Sequence, residues 1–366
     1  MARLMNRFYA LCAVAAGTIL VSAWLLMTQR FSDILPSTAR QFQVAREFDQ
    51  RLVVFGDSWS DNQSSDGPPG QVWTDWLCSM FSCHQENLAQ TASPLLRGKN
   101  LGAVIDNKEL DLLGRPSESP LADFKSQLQQ WLDAESRVLE GLSKEAARSR
   151  QERTVFVVSF GVWDIWSLIT KDYDAASRSV DRRAVTLMGL LDTLSESLDT
   201  KLQVILTQTV DVTFLPGFGS VGDQYKGTVR VLEKWNEKLR EVSGNWTRGS
   251  VYLFDTNAFM VDRIRDWQLY AAGIEEESGL GKNLDGWENV MEPCVESGFR
   301  VMMSKEKKQC EHPEKYLFWD EMHLGPSAHR LMAAEIYRGI DGSLNLKRPR
   351  NATTDGGLQL RHCLDQ

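Results

Sequence analysis

Four short runs of nearly continuous apolar residues punctuate the chain: Leu52-Val53-Val54-Phe55, Thr154-Val155-Phe156-Val157-Val158, Leu202-Gln203-Val204-Ile205-Leu206 and Val251-Tyr252-Leu253-Phe254. Runs of this length suit strands buried on both faces, as in a parallel sheet covered by helices. Between them apolar residues recur every three or four positions. Leu121, Phe124, Leu128, Trp131, Leu132, Val138, Leu139 and Leu142 mark one helical stripe. Further helices are predicted over residues 175–198 and 227–242, and a last one over 327–338 just after Pro326. Strands alternating with helices predict an α/β domain with a doubly wound parallel sheet, whose ligands bind at the carboxyl ends of the strands.

A different pattern opens the chain. An apolar run of 20 residues begins at Phe8 and closes at Met27, the length a helix needs to cross a bilayer. Arg3 and Arg7 precede it, so the positive-inside bias places the short N-terminal end in the cytosol. The run therefore reads as a signal anchor of a single-pass type II protein, with a lumenal or extracellular domain. A cleaved signal peptide, which would leave a secreted protein, is the alternative. The layout that follows is an anchor or signal peptide over 1–30, a polar stem over 31–50, the folded domain over 51–342 and a flexible tail over 343–366.

Composition agrees with that destination and narrows the partners. The 366 residues carry 41 Lys plus Arg against 49 Asp plus Glu, a net charge of −8, with 42% hydrophobic content. These values exclude a disordered chain, and the acidic balance excludes a phosphate-tracking surface for nucleic acid. Asn62, Asn245 and Asn351 each open an N-glycosylation sequon. Cys78 and Cys83, and Cys294 and Cys310, are the nearest cysteine pairs in the folded part, with Cys363 left over; spacing alone leaves the connectivity open. Metal-ligand spacings such as Cys-x-x-Cys are absent, so no metal and no organic cofactor is expected.

The chemistry-bearing residues lie at the two ends of the domain. Ser58 stands in the turn Gly56-Asp57-Ser58-Trp59-Ser60-Asp61, directly after the first predicted strand. Near the far end, Phe318-Trp319-Asp320-Glu321-Met322-His323 places an imidazole three residues after a carboxylate. Asp320 there could orient one ring nitrogen of His323, leaving the other to take a proton from Ser58. Asp57 and Asp61 read as braces of the serine turn through backbone amides rather than as a glycosidase pair. His329 reads as a packing or capping residue.

Together the two motifs resemble the GDSL, or SGNH, hydrolase family, over about residues 51–342, and look closest to its secreted fungal esterases. The resemblance implies a three-layer α/β/α, flavodoxin-like domain, with Ser58 as nucleophile, His323 as base and Asp320 as its orienter. It also exposes two departures. Where the family's second block resembles Asn-x-Ala-x-x-Gly-Ala, this chain reads Asn87-Leu88-Ala89-Gln90-Thr91-Ala92-Ser93, without the glycine. Thr91 or Ala92 is then the candidate backbone donor to the oxyanion, beside the Ser58 N–H. Where the third block resembles Gly-x-Asn-Asp, the chain reads Gly161-Val162-Trp163-Asp164. Trp163 thus replaces the asparagine donor, and either donates its one N–H from another angle or fills the pocket. Asp164 is expected to brace its turn.

These readings converge on a serine ester hydrolase acting on a small acyl ester or acylated glycan, an acetyl group being the favoured acyl. A weakly catalytic glycan- or partner-binding protein and an acyltransferase using the same triad are the alternatives.

Overall fold

The computed structural model describes residues 50–63, 68–91, 102–110, 121–220, 225–274, 286–295, 309–340 and 342–344. The apolar run from Phe8 to Met27, the stem, Ala92, Asn351, Cys363 and the tail beyond Leu344 lie outside the described residues. Among the described residues, no helix is long and apolar enough to cross a membrane.

Five parallel strands make the central sheet: β1 (Gln50–Gly56), β2 (Cys83–Asn87), β3 (Thr154–Ser159), β4 (Leu202–Thr207) and β5 (Gly249–Phe254), in the spatial order β2-β1-β3-β4-β5. That is the flavodoxin-like order, whose direction of winding reverses between β1 and β3. Eight helices flank it among the described residues: α1 (Trp73–Phe81), α2 (Phe124–Glu140), α3 (Lys144–Glu152), α4 (Val162–Trp166), α5 (Tyr173–Leu198), α6 (Tyr225–Gly244), α7 (Thr256–Ala271) and α8 (Pro326–Gly339). Helices cover both faces, with α5 packed on α6 and α2, and α1 packed on α8. A separate two-stranded ladder joins β6 (Asn289–Pro293) to β7 (Tyr316–Phe318).

The four strands predicted from apolar runs are β1, β3, β4 and β5. All residues of β1 and β3 are buried, as their position in the middle of a covered sheet requires. Phe55 at the end of β1 packs against Phe124, Trp131 and Phe156, with ring centroids 5.5, 6.2 and 6.4 Å away. Two of the predicted helices begin where acidic residues cap them. Asp123 accepts from the Ser126 N–H at 2.9 Å to start α2, and Asp172 accepts from the Ala175 N–H at 2.9 Å to start α5.

Strand β2 has no apolar run to announce it, because its sequence, Cys-His-Gln-Glu-Asn, sits at the sheet edge in half-buried surroundings. Charge replaces apolar contact here. Arg51 of β1 makes paired hydrogen bonds to Glu86 of β2, both 2.7 Å, and to Glu135 of α2 at 2.8 and 2.7 Å. Arg150 of α3 approaches Glu135 with two further bonds of 2.9 Å, and the Trp131 indole donates to Glu86 at 2.9 Å. One cluster of two cations and two anions thereby ties together four elements.

Both nearest-neighbour cysteine pairs are disulfides, Cys78–Cys83 and Cys294–Cys310. The first fastens α1 to the start of β2. The second closes a 16-residue separation between β6 and β7, which on chain-entropy grounds removes about 3 kcal/mol of freedom from the unfolded chain.

Removing one member of the buried cluster leaves the others uncompensated, so Glu135→Ala is expected to cost about 3 to 5 kcal/mol in urea unfolding. Burial alone would raise the Glu86 carboxyl, yet Arg51 and Arg150 hold it at about 2. The stability it contributes is present above the ordinary carboxylate range and should be lost as pH falls through that range toward about 2.

Candidate active site

The sheet's winding reverses between β1 and β3, and the turns after those two strands form the site. After β1, the chain turns through Asp57 to Asp61. Asp57 accepts from the Trp59 N–H at 3.0 Å, and Asp61 accepts from the N–H groups of Gln63 and Thr91, each at 2.8 Å. Both carboxylates brace the turn. Asn87, at the end of β2, donates to the Ser60 carbonyl at 2.7 Å. Gln127, wholly buried in α2, spans Gly56 itself: its amide accepts from Gly56 N–H at 3.0 Å and donates to Gly56 C=O at 2.9 Å. The strand end feeding Ser58 is thus held by side chains in addition to the Gln90 N–H, which donates to Gly56 C=O at 3.3 Å.

The other half of the site follows β7. Trp319 N–H donates to His323 C=O at 2.9 Å and Gly325 N–H to Leu317 C=O at 2.8 Å, which closes a loop and presents the imidazole before α8 starts at Pro326. Both Asp320 carboxylate oxygens lie 2.9 Å from His323 Nδ1, and His323 Nε2 lies 2.8 Å from Ser58 Oγ. With Nδ1–H donating to Asp320, Nε2 is the acceptor for the serine hydroxyl. Ser58 and His323 are 7% and 9% exposed, so the chain of bonds is sheltered while still reachable. The arrangement has the geometry that nucleophilic acyl transfer demands.

Electrostatics follow from that burial. Burial works against charge on the His323 ring, but Asp320, Asp57 and Asp61 outweigh it and its pKa is raised. Burial would likewise raise Asp320, yet His323 and the hydrogen bonds it receives hold it down. Asp57 goes the other way, pushed up by burial to about 7.

Trp163 meets the serine directly. Its side chain is fully buried, and Nε1–H donates to Ser58 Oγ at 2.9 Å, so the indole is both core and donor. It projects from α4, whose entry needs Gly161: φ is +134°, and a Cβ there would strike Thr209 Oγ1. Beside it Asp164 braces the neighbouring chain, accepting from Ile105 N–H at 3.3 Å. Arg183 of α5, fully buried, donates to the Asp164 carbonyl at 2.6 Å and pairs with its carboxylate at 3.3 Å.

Thr91 does not fit the donor role expected of it, because its N–H is already bound to Asp61. Gly102 supplies the small residue missing from the run after Asn87. It pairs with Thr91 in an antiparallel bridge, with Ala103 N–H bonded to Gln90 C=O, on the far side of residues 92–101. In that pattern the Gly102 N–H turns away from Thr91. A Cβ on Gly102 would run into Trp163 Nε1 and come within 3.0 Å of the Ser58 nitrogen. Only a glycine leaves room for the indole. The Gly102-Ala103 pair is the signal that could have found it, once the preceding residues are read as an insertion.

His329 is a helix cap. Its Nδ1 accepts from the Trp73 N–H at 3.3 Å, and burial lowers the ring to about 3, keeping it neutral as this role requires. Trp59 and Trp73 are buried in the core. Among the described residues, no group of three or more His, Cys, Asp or Glu side chains is arranged to hold a metal ion.

The chain belongs to the GDSL-like lipase/acylhydrolase family, whose model matches residues 52–336. No curated protein matches it. Among solved structures it is similar to the lipase Lip_vut3 from a goat rumen metagenome, at 10% identity and a TM-score of 0.41, over 81% of this chain and all of that one.

Replacing Asp57 removes a carboxylate that helps hold the His323 pKa up. Asp57→Asn should therefore lower the His323 titration midpoint followed by NMR, with Ser58→Ala as a control that leaves these charges in place.

Proposed function

We propose that the protein is a serine ester hydrolase in which Ser58 is the nucleophile, His323 the general base and acid, and Asp320 the orienter of the imidazole. The observation that carries this reading is the unbroken chain of hydrogen bonds from Ser58 through His323 to Asp320, 2.8 and 2.9 Å. Ser58 Oγ attacks the ester carbonyl while its proton passes to His323 Nε2. The tetrahedral intermediate collapses, the C–O bond to the alcohol breaks, and the imidazolium gives its proton to the departing oxygen. Water then attacks the acyl-serine, again losing a proton to Nε2, and leaves the free acid and the regenerated serine.

The oxyanion is assigned to the N–H groups of Ser58, Gly102 and Trp163. Ser58 N–H donates to no acceptor among the described residues. Trp163 Nε1–H bonds Ser58 Oγ before reaction. During attack Oγ and the carbonyl oxygen share one carbon, so a donor touching the first is within reach of the second. An indole thereby takes the part of the family's asparagine.

For the substrate we favour a short acyl group, acetyl first, on a carbohydrate. The buried indole over Ser58 Oγ supports a small acyl group. Trp163, Trp166, Phe218 and Tyr225 follow one another with centroids 6.3 to 6.4 Å apart, ending at a half-exposed Tyr225, and this aromatic line supports a ring-shaped alcohol. Two disulfides and the exposed sequon residues Asn62 and Asn245 support a secretory destination, anchored through the run from Phe8 to Met27. The likeness to secreted fungal esterases rests on the motifs around Ser58 and His323. Transfer to a sugar hydroxyl would use the same acyl-serine, with a different acceptor.

Full-length protein should hydrolyse nitrophenyl acetate faster than butyrate or octanoate, and Ser58→Ala prepared alike should be inactive. A folded wild type no faster than Ser58→Ala on these esters and on acetylated sugars would end the hydrolase reading. Trp163→Phe should lower kcat about 100- to 1000-fold, as loss of one oxyanion donor does. Gly102→Ala, by displacing the same indole, should give a comparable loss.

A further inference from the structure

Trp59 follows the serine as Met322 precedes the histidine. The Trp59 indole Nε1–H donates to the Met322 carbonyl at 2.9 Å, joining positions 263 residues apart. The ring is 3% exposed, and its own backbone N–H is bound to Asp57, so the residue is fixed within the nucleophile's turn.

The acceptor matters more than the distance. The Met322 carbonyl and the His323 N–H belong to one peptide unit. That N–H donates to Asp320 Oδ1 at 2.8 Å, while the carbonyl receives the indole. The peptide plane leading into His323 is therefore held on both sides, from the base's own orienter and from the nucleophile's neighbour. Rotation of that plane would swing the imidazole about its Cα. Beside the Ser58–His323 bond itself, this hydrogen bond joins the two turns directly.

We infer that Trp59 is a positioning residue: its indole N–H holds the peptide that carries His323, so that Nε2 meets Ser58 Oγ at reaction distance. The inference rests on the serine hydrolase reading for its kinetic consequence only. A loss of about 1 Å in alignment costs on the order of 100-fold in rate.

Two variants separate positioning from packing: Trp59→Phe, and a benzothienylalanine placed at residue 59 alone, which keeps the bicyclic shape and lacks the N–H. Reactive serine is counted with a fluorophosphonate, and kcat for nitrophenyl acetate is expressed per reactive site. Both variants should keep the wild-type number of sites and KM, and lose about 10- to 100-fold in kcat per site and in the labelling rate. Wild-type kcat per site in the benzothienylalanine protein, or a loss explained wholly by fewer sites, overturns the inference. The downfield Nδ1–H resonance of His323 reads the same geometry without turnover. It should move or broaden in both variants, and an unchanged resonance overturns the tether. A wild type that neither labels at Ser58 nor hydrolyses esters defeats the hydrolase reading instead, and the resonance still decides the tether.

Discussion

A hydrogen bond of 2.8 Å joins Ser58 to His323 across 265 positions, and the fold is arranged around making that contact. A parallel sheet brings the carboxyl ends of all its strands to one edge, which delivers Ser58 from β1 and Gly161 from β3 to the same place. His323 comes from outside that sheet, from the loop after the short strand β7. Its position depends on local bonds, on the β6–β7 ladder, and on a disulfide that closes the chain between those strands.

The polar residues buried near the site have one physical origin. A strand that runs to the edge of a sheet leaves backbone groups without ladder partners, and unpaired buried groups are costly. Gln127 answers this at Gly56 and Asn87 at Ser60. Their amides carry a donor and an acceptor on one group, so Gln127 meets both the N–H and the C=O of Gly56, and Asn87 links the Ser60 carbonyl to the Ala89 N–H. The turn that carries Ser58 is consequently braced by side chains from α2 and β2.

Much of this was legible in the sequence, and the misses have causes. The apolar runs of β1, β3 and β4 gave their strands because central strands of a covered sheet are buried on both faces, whereas β5 is a half-buried edge strand whose apolar composition alone marks it. Strand β2 was invisible since its stability comes from Glu86 and Arg51, and a charged edge strand looks like a loop. Ser58, Asp320 and His323 were readable because each motif is local and follows an element boundary. Gly102 was hidden by its distance from Ala89, which departs from the spacing on which the resemblance relied. The tether from Trp59 was not legible, because nothing near it in sequence indicates an acceptor at Met322.

On the proposed reading, an indole stands at Trp163 where the family's motif has an asparagine, which changes what surrounds Ser58. An amide offers donors and an acceptor, whereas an indole offers a single donor on a large apolar body. That body fills the space beside Ser58 Oγ and excludes water from it, which strengthens each remaining electrostatic contact. Space for the indole comes from Gly102, which has no Cβ, and its orientation from α4, which Arg183 and Asp164 hold from below. Substituting the tryptophan alone into a relative with a side chain at residue 102 would therefore fail on steric grounds. Because the family's motif has a glycine beside the asparagine too, the indole occupies room that a glycine already leaves.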